Sequence, residues 1–418
     1  MITFVIISLK LQNTLMHDRP LSGVAKERPN MRLGLLLGML SAIGPLAIDL
    51  YLPAFPTMAL DLASAPGEVQ RTLAAFLLAL AVAQIPIGSL SDRHGRKRAL
   101  YCGLGLFVMA SVACAAAPSI GSLQVLRFVQ GLGICAGTVV SRAMIRDLSS
   151  GHEAARLMAM SFLVIGISPV LAPLAGQLLL MAISWRSLFL VLALAGLMGL
   201  AVVRFKLGES LPVERRVPRG TPVLPAFREL LLNGKFLTAA LVAGCAMTIP
   251  YAYVTAAPFV FVGRFGLNAN QYTVLLGISA ICSIATTQCS PILMKRWGAR
   301  RLILRAGLLG AAFAAALAIA AWADGFSLVL FQLVSMLLFG LMGLILTPAA
   351  ISALDAAKSG AGTAASMLGT LQLAVTALAS GAISLFPPFS VLPLLTIIGG
   401  SFTLIVLLGR GLRVSSEW

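Results

Sequence analysis

The chain has 418 residues, of which 59% are hydrophobic and 11% charged, with a mean hydropathy of +0.96. Soluble domains run at about 45–50% apolar with about a quarter charged, so this composition excludes a soluble enzyme or binding module and points to a multi-pass membrane protein. The net charge of +17 excludes little until its distribution is read. Of the 31 Lys and Arg, three (Arg71, Arg186, Arg264) fall in or beside one set of loops and one (Arg127) in a span interior; the others lie in or beside the opposite loops and at the termini. That is the positive-inside rule, which puts both termini in the cytoplasm and sets the basic surface against anionic lipid headgroups rather than nucleic acid.

A membrane span needs about 20 apolar residues. Twelve such stretches are predicted, at 33–54, 70–91, 99–117, 120–143, 157–181, 186–204, 236–262, 271–293, 302–322, 326–349, 362–385 and 390–409. Their apolar runs are continuous rather than alternating, which excludes a closed β-barrel and leaves an all-α membrane protein. Residues 1–31 read as a cytoplasmic N-terminal extension. Met1 to Leu9 is apolar but short, is interrupted by Lys10 and lacks a small-residue cleavage site, so it is not read as a signal peptide; Met16 and Met31 are alternative starts.

Span 1 holds the first residue with chemistry. Fourteen acids are present and Asp49 alone lies well inside a span, within Gly44-Pro45-Leu-Ala-Ile-Asp49-Leu50-Tyr51-Leu52-Pro53-Ala54-Phe55-Pro56. Counted from Leu33, it sits about 24 Å deep, where a carboxylate costs at least ~2.5–3.5 kcal/mol on insertion scales. It must therefore face a cavity or a partner. Desolvation favours the neutral acid and a nearby cation the carboxylate, so such a group can load and release a proton. The plainer alternative is a solvated acid near the outer end of the span.

Between spans 2 and 3 comes Gly88-Ser-Leu90-Ser-Asp92-Arg93-His-Gly95-Arg96-Lys97-Arg98. So short, basic and glycine-punctuated a run must turn tightly between two helices at the cytoplasmic face. Asp92 is placed to pair with the arginines of its own loop or to cap a neighbouring helix. Gly88, Asp92, Arg93, Gly95 and Arg96 are read as the elements of a conformational switch.

Arg127 lies in the interior of span 4, in Leu126-Arg127-Phe128-Val129-Gln130-Gly131-Leu132-Gly133. An arginine there demands a partner, and Asp49 is the one intramembrane acid, so a pair between them is predicted. It is either broken by substrate or proton, or a fixed strut between spans 1 and 4. Span 5 carries Gly166, Pro169, Pro173 and Gly176. The prolines remove backbone donors and bend the helix, and the glycines allow close contact.

The polar stretch 205–235 reads as a linker with room for one surface helix. It divides the chain into a first six-span bundle at 32–204 and a second at 236–410, with a tail at 411–418. In the second half Tyr251 and Tyr253 in span 7 and Gln372 in span 11 are candidates to line a cavity; interface anchoring is the alternative for the tyrosines. The run Pro291-Ile-Leu293-Met-Lys295-Arg296-Trp-Gly298-Ala-Arg300-Arg301 repeats the first loop, with Leu293 and Gly298 each 203 residues after Leu90 and Gly95. Two parallel repeats follow, but the echo has no equivalent of Asp92. The six cysteines all fall in predicted spans without metal-ligand spacing and the three histidines outside them, so no metal, disulfide framework or cofactor is expected. No phosphate-binding P-loop or nucleophile elbow occurs, which argues against an ATP-driven pump or an enzyme.

These motifs resemble the major facilitator superfamily, and more narrowly its Bcr/CflA drug-resistance branch of twelve-span drug:proton antiporters, over roughly residues 33–410. The narrowest likeness is Asp49-Leu-Tyr-Leu-Pro-Ala-Phe-Pro56; the others are the 88–98 loop, Leu126 to Gly133, the Pro169–Gly176 bend with Trp185-Arg186, and Gly362-Thr-Ala-Ala-Ser366. Ala83 departs from the expected glycine before Gln84, and the span 5 bend lacks the Gly-Pro start of the antiporter pattern. The resemblance implies a monomer in the bacterial inner membrane. It implies export of small amphipathic antibiotics, such as phenicols or bicyclomycin-like compounds, against entering protons. Asp49 is then the candidate proton and drug site and Arg127 the coupling residue. The alternatives are a proton-coupled symporter or facilitator for a metabolite on the same fold, and, less favoured because no soluble domain is present, a membrane sensor.

Overall fold

The computed structural model describes residues 31–149, 151–218, 224–322, 327–357, 361–387 and 390–412; the N-terminal extension and the end of the tail lie outside them. Twelve long helices occupy the predicted positions. Eleven are long and apolar enough to cross a membrane, and the described part of the twelfth, Gly151–Leu180, adds the apolar stretch Ser168–Leu180.

Several helices run past the apolar core by a turn or more, as Pro66–His94 does for span 2 and Leu328–Ala356 for span 10. Hydropathy marks where lipid begins, whereas a helix ends where its backbone finds other partners. At Ile120 that partner is Ser119, whose hydroxyl accepts from the Ser122 amide at 3.3 Å. Asn233 caps span 7 by accepting from Lys235 and Phe236, and Asn268 with Gln271 forms a reciprocal box at the start of span 8. The two related loops are closed by the same device: Gly95 (φ +97°) and Gly298 (φ +77°) both stand in the left-handed region that favours glycine.

Each half packs its own buried core. One gathers Leu37, Phe55, Phe76, Phe107 and Phe189 from spans 1, 2, 3 and 6; the other gathers Phe236, Tyr253, Phe261, Phe331 and Phe402 from spans 7, 10 and 12. Across the halves, span 2 packs on span 11 and span 5 on span 8. The ends of the spans remote from the 88–98 loop are drawn together. Gln70 donates to the Thr255 carbonyl at 3.1 Å, Arg71 to the Ser384 hydroxyl at 3.4 Å, and Phe55 meets Phe259 with ring centres 6.1 Å apart. Gly67 approaches Ser384 so closely that a Cβ there would stand 2.3 Å from its carbonyl oxygen.

The linker is split between the halves. Its first part docks on the first half: Glu209 accepts from the backbone amides of Arg96 and Lys97, Ser210 donates to Asp147, and the Val217 amide donates to the Asp92 carbonyl. The surface helix that the linker has room for is Leu224–Leu232, whose Phe227 and Leu230 join the core of the second half.

Candidate functional site

Span 1 breaks at the residue that matters most. Its first helix, Met31–Asp49, stops at the acid, and the chain continues through the 3-10 turn Leu52–Ala54 into Phe55–Asp61. Pro53 is the cause: it has no N–H to offer the Asp49 carbonyl four residues back, and its ring crowds that oxygen. The break leaves the last carbonyls of the helix in need of donors. Asp49 is only 7% exposed. Ser168 of span 5 donates to its Oδ2 at 3.4 Å, and Tyr251 of span 7, half-buried, lies within electrostatic range of it. Both halves thus reach the carboxyl.

Span 5 comes this close because of Gly176. A Cβ there would stand 2.0 Å from the Leu50 carbonyl oxygen, an impossible contact. Pro169 and Pro173 lie within the same helix. A Cβ on Gly166 would meet none of the described atoms within 4 Å, so of these two glycines only Gly176 is needed for the close approach.

The predicted pair between Asp49 and Arg127 is not formed. Arg127 is fully buried, but its guanidinium donates to the Ala47 carbonyl at 3.1 Å and to the Gln130 amide oxygen. The rings of Tyr51 and Phe76 each lie 4.2 Å from it, and that of Phe189 lies 5.8 Å away. The Ala47 carbonyl is one of those released by the break in span 1, and it carries the negative end of the helix dipole. Hydrogen bonds to a charged group contribute about 1.5–3 kcal/mol each, and each ring contact about 0.5–2 kcal/mol. Together they are comparable to the several kcal/mol needed to bury the ion, so no carboxylate is required. Gln130 is itself held, donating to Ser111 at 2.7 Å. A glutamine three residues after an arginine on one helix face is the signal that would have predicted this partner.

One further expectation changes. Tyr253 does not line a cavity: it is 1% exposed, stacked on Phe331 with its hydroxyl toward Gln332, because it points into the core of its own half. Gln372 is half-buried on span 11, where its backbone packs against Gly244 of span 7.

The 88–98 loop is a dense ionic cluster. Arg96 donates to Asp92 at 2.5 Å, to Ser91 at 2.7 Å and to Asp147 of span 4 at 2.8 Å. Asp92 pairs within its own loop as expected. Glu209, which sequence reasoning did not single out, completes the cluster by capping the start of span 3 with a negative charge. Gly95 makes room for it, since a Cβ there would stand 2.5 Å from the Glu209 carboxylate. Among the described residues no group of His, Cys, Asp and Glu is arranged to hold a metal, and the cysteines are free thiols.

Residues 37–384 match the Major Facilitator Superfamily. The MFS-type transporter YdgK of Bacillus subtilis is 32% identical over 362 residues, covering 85% of this chain and 88% of that one. The bicyclomycin resistance protein homolog of Haemophilus influenzae is 28% identical over 380 residues, covering 89% and 94%. Among solved structures, a D-xylose–proton symporter superposes with a TM-score of 0.69 over 91% of this chain and 96% of that one, at 17% identity, a likeness of fold alone. With its twelve spans, repeated loops and matched length, the chain belongs to the Major Facilitator Superfamily and is a multi-pass membrane transporter rather than an enzyme.

Proposed function

We propose that this transporter exports small amphipathic drugs by alternating access, driven by protons moving inward. The observation that carries the reading is Asp49: a buried carboxyl at a helix break, bonded to Ser168 and with no ion-pair partner among the described residues. A carboxyl so placed is held between its neutral and charged forms by what else occupies the site. Protonation from outside weakens drug binding and favours return to the inward-facing state. Each charge crossing the field yields ~2.3 kcal/mol per 100 mV, enough to sustain a useful gradient. The bicyclomycin-resistance name of the Haemophilus influenzae relative supports drugs as the cargo.

In this reading Arg127 holds a fixed positive charge behind Asp49, acting through the span 1 backbone. The Asp92–Arg96–Asp147 cluster locks one arrangement of the halves and gives way in the other. The positive-inside distribution supports an inner-membrane protein with both termini in the cytoplasm, working as a monomer.

The test is expression in a drug-hypersusceptible bacterium, with susceptibility to an antibiotic panel measured with and without an uncoupler. Resistance to several unrelated compounds that collapses with the uncoupler is the expected result, and Asp49→Asn should abolish it. Full resistance in that variant, shown to be in the membrane, would overturn the role of Asp49. Absence of resistance to anything from the native chain would favour a metabolite transporter.

A further inference from the structure

Spans 2 and 11 meet along their length, with Gly67 against the Ser384 carbonyl, Gly381 near Ala74, Gly369 at Gln84 and Gly88 near Ser366. Near Gly67 polar groups bridge the two halves: Gln70 donates to the Thr255 carbonyl and Arg71 to the Ser384 hydroxyl. Further along the seam the bridging stops. Gln84 is only 8% exposed, yet its carboxamide has no hydrogen-bond partner among the described residues. It lies over Gly369, where a Cβ would stand 2.6 Å from its Oε1 and 2.8 Å from its Nε2. The next hydroxyl along span 11, that of Thr370, is buried and also without a partner among the described residues. One turn outward of Gly369, the Gln372 side chain makes no hydrogen bond among them either.

Buried polar groups are almost always bonded, so an orphan calls for a reason, and inside a span such a group marks a substrate pathway. The depth agrees. Gly44 of span 1 lies against Thr138 of span 4 and Gly88 near Val139, one residue on. Asp49 stands five residues outward of Gly44 and Gln84 four outward of Gly88, about 7–8 Å and about 6 Å along their helices. Gln84 therefore lies at the depth of the Asp49 carboxyl. Gln372 is half-buried, so the edge of the seam where it stands is open to a ligand. A carboxamide sets N–H donors beside a carbonyl acceptor, and its complement is an amide or a hydroxyl that also donates and accepts. It carries no charge, and Arg127, the cation nearest this depth, is already bonded to Ala47 and Gln130.

We propose that Gln84 is a specificity-determining residue, whose carboxamide pairs with an amide or hydroxyl group of a neutral cargo, with Gln372 bonding the same cargo from the opposite half. This rests on the exporter reading and names its substrate class. Gly369 is part of the device, because its missing side chain leaves the room in which the carboxamide lies across the seam. Since Gln84 belongs to the first half and Gln372 to the second, a cargo bonded to both ties the halves together at this level. Its departure frees the seam to part. The cargo also lies level with Asp49, so proton uptake there and cargo release act on each other. Exchange of a neutral molecule for one proton moves a single positive charge inward per cycle, and the potential acts on the proton alone.

The test is fluorescence titration of the purified full chain with dansyl-phenylalaninamide and with dansyl-phenylalanine methyl ester. Both are neutral and nearly of one shape, but only the first has a terminal amide to offer. The native chain should bind the amide about tenfold more tightly than the ester, the worth of one or two neutral hydrogen bonds. Q84L should bring that ratio close to one. G369A, which pushes the carboxamide aside without altering it, should lower the ratio in the same direction, and Q372L should lower it less. If Q84L binds neither ligand, G369A decides: a lowered ratio supports the proposal and a native one overturns it. Equal affinity of the native chain for amide and ester, as when water alone solvates Gln84, would overturn it. So would an unchanged ratio in Q84L, or no saturable binding of the amide. Uncoupler-sensitive resistance without any amide preference would sink this proposal and leave the exporter reading standing. Loss of that resistance with the amide preference intact would overturn the exporter reading alone.

Discussion

In the first half, Tyr51 from the opening span lies over Arg127 from the fourth; in the second, Tyr253 from the opening span meets Gln332 from the fourth. Each polar group is tied to a serine of its own half, Arg127 through Gln130 to Ser111 and Gln332 directly to Ser279, and both tyrosines sit among phenylalanines. The loops diverge in the same way. Around Gly95 an arginine holds three polar side chains in a cluster, whereas beyond Gly298 Arg300 donates to the Arg410 carbonyl and Arg305 stacks on Trp297. One scaffold was thus filled twice, with charge in the first half and with neutral hydrogen bonds and rings in the second. In the proposed mechanism, the charge that responds to protons or substrate is concentrated on one side, and the other side serves as the body it moves against.

Exchanging the matched polar groups tests this most severely. Arg127→Gln should abolish uncoupler-sensitive efflux. Gln332→Leu should keep most of it and lower stability by about 1–3 kcal/mol through the lost hydrogen bonds to Tyr253, Ser279 and Leu275; equal losses from both would break the comparison. Next comes span 5. Gly176→Val cannot be accommodated against Leu50 and should push the span off Asp49, removing transport, while Gly166→Ala should be close to native in the same assay. A smaller effect is expected in the loops. Asp92→Asn should slow turnover about tenfold, equivalent to about 1.4 kcal/mol on the rate, and Lys295→Ala should change it little. Smallest of all, Glu209→Gln should lower stability by about 0.3–1 kcal/mol, the worth of a charge at a helix N-terminus, read as a small shift in the thermal unfolding midpoint in detergent.

The architecture was legible because lipid imposes it: no backbone group can be left unpaired, so continuous apolar runs must be helices, and Gly95 and Gly298 mark the turns. Asp49 stood out because a lone acid in a span is costly enough to need a reason. Arg127 was found on the same grounds, yet its partner was misjudged. Counting charges suggests a carboxylate, while the fold supplies Tyr51, Phe76, Gln130 and the Ala47 carbonyl beside the break in span 1, none of which carries charge. Tyr253 was misplaced because two tyrosines two residues apart on a helix point in different directions, and composition does not say which direction is the core. Glu209 was hidden in a polar linker where any acid reads as solvated; its role depends on a loop more than a hundred residues away.

The divided linker has a consequence for how far the machine can open. Val217 is tied to the first half, and Leu224 begins a helix seated on the second. The chain from Pro218 to Leu224 has a contour length of about 20 Å when fully drawn out. With Val217 and Leu224 both docked, only this short leash of chain, and not the thirty residues of the linker, joins the two halves. Any separation of the inner ends during transport must stay within that reach, or one of the docked pieces has to let go. Shortening the leash would set a mechanical stop on the stroke.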